Sequence, residues 1–431
     1  MPESHSLRDV EFHDDSGFCY TARSPYGFKY TMTARLHNQR THYSLPLPGR
    51  PVFKAVFLSR PNRFLVECQD ITHGVIRAFL PNPGRLSELL FPGVTLHVLD
   101  NSDDSGERAT QFTVVAVDRN DRPVMLHTHW CNEMAQSLLT HHAVPGLEQA
   151  HIVHREVKAG HSRFDFLLED KNGRIYLEVK SCTLFGNGVA MFPDAVTERG
   201  KRHFLELSDL AGTGQRCYVL FIVQTDQVCC FMPDYHTDMA FARTMLAVRE
   251  RVHFMALPVS WTKKLSFEPA KSFLPIPWDY IEREANDQGA YLAVLHLNCH
   301  KRLTIGALGT QSFSPGYYTY AGSAMGGLDA RMARHNRKRK KKHWHIDYLR
   351  ADSEVIAILP VRSSERLECR LVAGLTTLLS ASMPGFGCTD CHCPTHLFFS
   401  TDNPLEQPRF HDWLQRMRMR PPNGPPPHKS T

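Results

Sequence analysis

The chain has 431 residues, of which 42% are hydrophobic and 22% are charged, so it has enough apolar side chains for globular domains and is not a wholly disordered chain. At about 150 residues per domain, this length predicts about three folded units. The 50 Lys and Arg residues exceed the 44 Asp and Glu residues, which gives a formal net charge of +6.

The predicted elements fall into six consecutive segments, and the fold class is multidomain α+β. From Val52, short β-rich runs such as FKAVFLS and GVIRAFL alternate with turns rich in Pro, Gly and Asp, which is typical of a small antiparallel barrel or sandwich. From Gln149, strands such as FDFLLED and CYVLFIVQ flank a helix over Val196–Asp209, which indicates an α/β core with a mixed sheet. In chain order we predict a poorly ordered extension (1–50), the barrel (51–148), the α/β unit (149–258), a proline-rich linker (259–288), a second α/β unit (289–405) and a proline-rich tail (406–431).

The segment FDFLLEDKNGRIYLEVK carries the first group of candidate catalytic residues. Its pattern predicts a β-hairpin with NG in the turn. Glu178 and Lys180 then share one face of a strand, and Asp165 on the partner strand is brought opposite them. The two carboxylates suit Mg²⁺ or Mn²⁺, and Lys180 is placed to orient or deprotonate water or to neutralise charge on phosphorus. A cross-strand ion pair is the alternative explanation.

Two flanking segments add candidates to this site. Glu156, on the preceding segment, is a possible further ligand. Arg199, His203 and Glu206 share one face of the next helix by their i, i+4, i+7 spacing. That face is either a track for phosphate groups or the solvated side of an ordinary amphipathic helix.

These segments resemble a known family. GHSRFDFLLED, LEVKSCTL, FPDAVTERGKRHFLEL and the upstream LPNPGRLSELLFPG are similar to the sugar fermentation stimulation protein A family over about residues 51–258. The resemblance implies an OB-fold-like barrel followed by a domain with the PD-(D/E)xK nuclease fold, in which Asp165, Glu178 and Lys180 take the triad positions, and it implies that the protein binds DNA. For strand contacts on the barrel, the basic and aromatic candidates are Arg60, Arg63, Arg85 and Phe64.

A second group of candidates lies in the C-terminal third. GAYLAVLHL and YYTYAGSA read as strands that carry Tyr291 and Tyr320, LDARMARHNRKRK reads as a helix that carries Arg331 and His335, and Glu368 begins another helix. This set contains the parts for phosphodiester hydrolysis: Glu368 to bind a divalent ion, Tyr or His to polarise water, and Arg to stabilise charge on phosphate. Packing tyrosines and a solvated basic face are the alternative explanation.

A run of six adjacent cations follows on the same predicted helix: Arg337, Lys338, Arg339, Lys340, Lys341 and Lys342. Such a run repels itself unless a polyanion neutralises it, so we expect it to contact nucleic acid. A solvated surface loop without a partner is the alternative.

This part of the chain also resembles a known domain. Gly289-Ala290-Tyr291, the run YAGS that begins at Tyr320, and LDARMARH resemble the GIY-YIG nuclease superfamily. With KKHWHIDYL, LEC and PGFGCTDCHCPTHLFF, the match over 289–400 is similar to the GIY-YIG-like domain found appended to endonuclease III, although Ala replaces the Ile that names each motif. His345 and Asp347 either assist this site or make a buried structural hydrogen bond.

The twelve cysteines are too sparse for a disulfide-stapled domain. Cys388, Cys391, Cys393 and His396 nevertheless place four soft ligands within nine residues. Zn²⁺ suits these ligands, but one tight loop seldom surrounds a metal without a second ligand pair. A zinc site and a redox-inert cysteine loop therefore remain the two interpretations.

Together these patterns predict a cytoplasmic, bacterial-type DNA-binding protein with metal-dependent nuclease potential, and they leave RNA open as a partner. No uncharged apolar run has the length of a membrane span, and the N-terminus is polar, so we expect no membrane partner. A non-catalytic regulator of sugar-utilisation genes and a DNA repair or processing scaffold are the alternative functions.

Overall fold

The computed structural model describes residues 18–23, 29–34, 41–44, 50–102, 110–381 and 383–422. The chain divides into two units, one formed by residues 1–42 and 423–431 and the other by residues 43–422. In the first unit, β1 (Phe18–Arg23) pairs antiparallel with β2 (Lys29–Ala34). We predicted a poorly ordered extension here, but FCYTAR and KYTMTA are rich in the aromatic residues and Thr that favour strands.

The second unit begins with a closed barrel. Its strands are β4 (Val52–Asn62), β5 (Leu65–Asp70), β6 (Gly74–Phe79), β7 (Thr95–Asp100), β8 (Phe112–Arg119) and β9 (Arg122–Met125), preceded by the short β3 (Tyr43–Ser44). The strand order is β6-β5-β4-β7-β8-β9, and β6 also pairs with β8, so five strands close on themselves. Alternate side chains such as Val66, Ala78, Val98 and Val114 fill the interior. The predicted OB-like barrel is confirmed.

The α/β unit is built on a mixed sheet. Its elements are α1 (Thr128–Thr140), β10 (His151–Ala159), β11 (Ser162–Asp170), β12 (Gly173–Cys182), β13 (Leu184–Gly186), β14 (Val189–Phe192), α2 (Glu198–Gly212), β15 (Arg216–Val223), β16 (Cys230–Pro233), α3 (Met239–Val248), β17 (His253–Trp261), β18 (Ser266–Pro269) and α4 (Trp278–Glu284). The main sheet has the order β10-β11-β12-β15-β17-β18-β3, in which β12, β15 and β17 are parallel. A smaller sheet has the order β13-β14-β16.

The segment 259–288 is not a linker. It contains the end of β17, all of β18 and α4, and Phe267 and Ile281 are fully buried. Proline misled the prediction because it is also compatible with strand ends and with helix starts. Pro269 is the last residue of β18, and Pro277 immediately precedes α4.

The C-terminal unit has an antiparallel sheet of order β23-β19-β22-β25-β24. Its elements are β19 (Gly289–Leu297), β20 (Lys301–Thr304), β21 (Thr310–Phe313), β22 (Gly316–Ala324), α5 (Leu328–Asn336), α6 (His345–Asp352), β23 (Glu354–Arg362), α7 (Glu368–Leu375), β24 (Ser380–Ala381), β25 (Leu397–Ser400) and α8 (Pro408–Arg418), with 3-10 turns at Gly306–Leu308 and Pro404–Glu406. Strands β20 and β21 form a separate hairpin. Along the described ranges, no helix combines the length and apolar character needed to cross a membrane.

Helix α8 corrects the prediction of a proline-rich tail from residue 406. Phe410 and Trp413 are buried in the core of the C-terminal unit. The same helix and the residue that follows it contact the barrel and the α/β unit. Arg119 Nη2 of the barrel donates to Gln415 Oε1 at 2.8 Å, and Asn187 Nδ2 of the α/β unit donates to Met419 O at 2.7 Å. The rest of the predicted tail, from residue 423, lies outside the described residues.

Candidate active sites

The β11–β12 hairpin brings the first candidate residues together, as predicted. Phe166 pairs with Leu177, so Asp165 lies at the neighbouring position to Glu178. Asp165 Oδ2 accepts a hydrogen bond from Val179 N at 2.7 Å, which joins the two strands at this point. Gly173, the first residue of β12 after the turn, has a φ of +107°, a conformation that favours glycine.

Glu178 is a buried carboxylate with one oxygen that accepts hydrogen bonds and one that has no partner among the described residues. Its exposed fraction is 3%. Oε1 lies 2.5 Å from Lys180 Nζ and 2.6 Å from His203 Nδ1, whereas Oε2 has no hydrogen-bond partner among the described residues. Burial opposes ionisation, but the charge of Lys180 and the hydrogen bond to His203 outweigh it and hold the pKa of Glu178 below its usual value. The group is therefore an ionised oxygen donor.

Asp165 is the second carboxylate. Its Oδ1 accepts from Asn132 Nδ2 at 2.7 Å. Burial, followed by the negative charge of Glu178, raises the pKa of Asp165 to about 6. A buried and a partly buried carboxylate with a free oxygen fit a hard divalent cation, because its charge removes their mutual repulsion.

Helix α2 supports this site differently from the prediction. His203 was predicted to contact nucleic acid, but its exposed fraction is 2% and its ring bridges Glu178 and Arg199, whose Nε lies 3.2 Å from His203 Nε2. His203 therefore positions Glu178 and does not line the surface. Arg199 is exposed. Glu156 pairs with Arg163 at 3.1 Å on the surface and contributes nothing here.

The barrel carries an exposed aromatic pair. The rings of Phe64 and Phe79 lie 6.4 Å apart, stacked at 29°, beside a groove of about 560 Å³ that Arg77 also lines. Arg63 is exposed, as predicted. Arg60 instead donates to the backbone carbonyls of Arg63, Asn82, Gly84 and Arg85, so it braces the loop.

Arg85 is exposed but does not border this groove. It lines a separate cavity of about 210 Å³ between the barrel and α8. The three arginines that we selected on the barrel therefore do not form one surface for a strand.

The five residues of the second candidate site also lie close together. Tyr291 Oη lies 2.7 Å from His335 Nε2, and the rings of Tyr291 and Tyr320 are 6.4 Å apart. Burial, and then Tyr320, raises the pKa of Tyr291 well above its usual value. Burial, and then the charge of Lys340, lowers the pKa of His335 to about 4, so its ring is neutral at pH 7. A side chain at Gly322 would overlap the Tyr291 hydroxyl.

Ser323 joins the other two members of this site. Its hydroxyl donates to Glu368 Oε2, and its carbonyl accepts from Arg331 Nη1 at 3.4 Å. Burial opposes ionisation of Glu368, but hydrogen bonds from His396 and Ser323 hold its pKa below the usual value. The Arg331 guanidinium stacks on Trp344 with 4.1 Å from Cζ to the ring centroid.

The basic run lies in the loop between α5 and α6, not on a helix, because α5 ends at Asn336. Lys340 is not a free cation, since its Nζ lies 2.8 Å from Asp347 Oδ1 and its side chain is buried. The other five members are exposed: Arg337, Lys338, Arg339, Lys341 and Lys342.

Asp347 is a buried structural carboxylate on α6. It accepts from Arg334 through both oxygens at 2.9 Å and from the amides of His343 and Trp344. His345 lies on the same helix, and its Nδ1 accepts from Gly387 N at 3.0 Å.

The cysteine cluster differs from the prediction by one member. The ligand atoms of Cys369, Cys391, Cys393 and His396 all lie within 4.8 Å of one another. Cys388 is not part of this group, and Cys369 from α7 takes its place. The prediction was confined to one loop and therefore omitted a ligand from another element.

Comparison with known proteins divides the chain at similar positions. Residues 58–126 match the SfsA N-terminal OB domain, residues 129–265 match the sugar fermentation stimulation protein RE domain, and residues 290–419 match a domain of unknown function, DUF123. The sugar fermentation stimulation protein homolog of Desulforamulus reducens is 34% identical over 244 residues, which cover 98% of that protein and 56% of this chain. The homolog of Chloroflexus aurantiacus is 41% identical over 214 residues, which cover 82% of that protein and 49% of this chain.

The chain belongs to the sugar fermentation stimulation protein family. A solved structure, that of Pyrococcus furiosus SfsA in complex with Ca²⁺, is 28% identical with a TM-score of 0.50, and the match covers 98% of that chain and 54% of this one. The family relationship and the GIY-YIG-like C-terminal domain predicted from the sequence are confirmed.

Three residues of these sites were not selected as site residues from the sequence. Asn132 holds Asp165 from a helix more than 30 residues away, Ser323 was read only as part of a strand motif, and Cys369 stands outside the cysteine-rich loop. For each of them, the contact depends on how separate elements pack.

Proposed function

We propose that this sugar fermentation stimulation protein family member binds DNA and hydrolyses its phosphodiester bonds at the site formed by Asp165, Glu178 and Lys180. The observation that carries the proposal is the state of Glu178. It is buried and ionised, and its Oε2 has no partner among the described residues. A carboxylate in this state is suited to a cation.

In this proposal Asp165 and Glu178 hold Mg²⁺ or Mn²⁺. The cation supplies Lewis-acid polarisation of a phosphate oxygen and stabilises negative charge in the transition state. The charged Lys180 Nζ, beside Glu178, orients the attacking water or neutralises charge on the phosphate. The Ca²⁺ in the P. furiosus structure supports a divalent cation in this family.

We further propose that DNA is held by two surfaces. Arg199 is exposed one helical turn from His203 and is placed to contact phosphate beside the site. The Phe64–Phe79 pair on the barrel offers a stacking platform for unpaired bases, and Arg77 borders the same groove.

The test is cleavage of labelled single- and double-stranded DNA with Mg²⁺ or Mn²⁺ by the wild-type chain and by Glu178→Gln and Lys180→Ala. We expect both variants to lose at least about 100-fold in rate, since each removes a charge that acts in the transition state. Glu169→Gln is the matched control, because Glu169 lies on the same hairpin with its side chain partly in solvent. Equal cleavage by wild type and Glu178→Gln would contradict the proposal.

A second catalytic site is favoured by the Ser323 contact. Glu368 and Arg331 meet at one residue, beside Tyr291 and Tyr320. We propose that this site also hydrolyses phosphodiesters, with the exposed cations of the 337–342 loop holding the strand. Glu368→Gln should then remove the residual cleavage, at most about 1% of the wild-type rate, that survives in Glu178→Gln.

Binding without cleavage would support a regulator instead. That function requires the basic and aromatic surfaces but not Glu178. It predicts an affinity that falls steeply with added salt and is the same in wild type and Glu178→Gln.

A further inference from the structure

Four soft metal ligands from two segments converge beside α7. Cys369 lies in the first turn of α7, Cys391 and Cys393 lie in the loop before β25, and His396 immediately precedes that strand. Their ligand atoms lie within 4.8 Å of one another, and Cys391 Sγ is 3.2 Å from His396 Nε2. The ligand that one tight loop lacks is supplied by a second element.

The spacing matches tetrahedral zinc. Bonds of about 2.3 Å to sulfur and about 2.0 Å to nitrogen place the ligand atoms about 3.5–3.8 Å apart. The cluster therefore needs only a small contraction to close around an ion. Three cysteines and one histidine form a closed ligand set, which is the composition of structural zinc sites.

The histidine is already oriented for this role. Its backbone is fixed on both sides, because His396 N donates to Phe386 O at 2.8 Å and His396 O accepts from Ala321 N at 3.0 Å. Nε2 faces Cys391, while Nδ1 lies 3.0 Å from Glu368 Oε1. A carboxylate on the second ring nitrogen is the arrangement that orients metal-bound histidines in proteins.

We propose that Cys369, Cys391, Cys393 and His396 bind one structural Zn²⁺ ion that fastens the 383–396 loop to the start of α7. Cys388 takes no part in this site. The ligand Cys369 directly follows Glu368, and the ligand His396 lies beside the Glu368 carboxylate. The ion therefore fixes the position of that carboxylate through both ligands. The zinc site does not depend on cleavage at either proposed nuclease site.

The test is the metal content of the purified full-length chain, measured by mass spectrometry of the elements. We expect about one Zn²⁺ per chain in wild type and in Cys388→Ser, and at least about tenfold less in Cys369→Ser. Absence of zinc from wild type would overturn the proposal. So would loss of zinc in Cys388→Ser with retention in Cys369→Ser.

Two measurements on wild type serve if Cys369→Ser does not fold. Co²⁺ added to the chelator-treated chain should give the absorption bands of a tetrahedral ion with three thiolates. Alkylation should modify Cys388 at once, whereas the three cysteines that bind the ion, Cys369, Cys391 and Cys393, should react only after chelator is added. Protection that a reductant removes and a chelator does not would indicate a disulfide and refute the zinc site.

Discussion

The substitution Asp165→Asn should stabilise the metal-free protein above pH 6 and remove its divalent site. Asp165 carries a pKa of about 6 in place of 3.8, because it is partly buried and lies beside Glu178. An acid with a raised folded-state pKa costs nothing below its unfolded pKa, and the penalty grows as pH rises until it is complete above the folded pKa. The substitution therefore gains stability only at higher pH.

The magnitude follows from these two pKa values. Ionising Asp165 costs about 3 kcal/mol of unfolding free energy near pH 7.5 and roughly half as much near pH 5. Any hydrogen bond lost with Asn132 or Val179 lowers the gain equally at both pH values. The difference between the gains at the two pH values, roughly half of the full cost, is therefore the diagnostic quantity.

The assay is urea unfolding in the presence of chelator at the two pH values, with hydrogen exchange of β11 and β12 amides to assign the transition. Asp170→Asn on the same hairpin is the matched control of opposite sign. The hydrogen bond from Arg216 lowers the pKa of Asp170, so its removal should destabilise the protein by nearly the same amount at both pH values, which both lie above the unfolded-state pKa of an aspartate. An Asp165→Asn effect that is the same at both pH values would refute the electrostatic account of this site.

Three further predictions concern ligands and stability. Mn²⁺ affinity, measured by calorimetry, should fall as pH decreases through about 6, because Asp165 must lose its proton to bind the ion; affinity that is flat from pH 7 to pH 5 would exclude Asp165 as a ligand. Phe64→Ala should weaken binding of single-stranded DNA by about 1–3 kcal/mol without changing the salt slope, whereas Arg199→Ala should reduce that slope; fluorescence anisotropy at several salt concentrations separates the two effects. Arg334→Ala should destabilise the C-terminal unit by about 3 kcal/mol, because it leaves buried Asp347 with fewer cationic partners; an unchanged thermal midpoint would contradict this.

Much of the first site could be predicted from the sequence because it is local. A hairpin with a two-residue period fixes which side chains meet, so Asp165, Glu178 and Lys180 converge as expected. The burial of the His203 side chain could not be predicted from the sequence, since the same spacing describes a solvated helix face. Its orientation depends on how α2 packs against β12, where Glu178 offers a buried acceptor.

In the second site, too, the local contacts could be predicted from the sequence and the contacts between separate elements could not. The tyrosines on β19 and β22 follow from strand pairing, with Ala293 opposite Tyr320. Cys369 could not be chosen over Cys388, because that choice depends on where α7 lies relative to the loop before β25. The basic run was assigned to a helix, but Arg337 is already extended, with a ψ of 127°.

Helix α8 also bears on how the chain is made. Its partners Arg119, Asn187 and His236 are synthesised long before Gln415, Arg418 and Met419, which contact them. During synthesis, domains fold in order from the N-terminus. The barrel and the α/β unit must therefore remain soluble with this face uncovered until helix α8 leaves the ribosome. A chain whose synthesis stops before residue 408 contains both folded units but lacks the helix that contacts them.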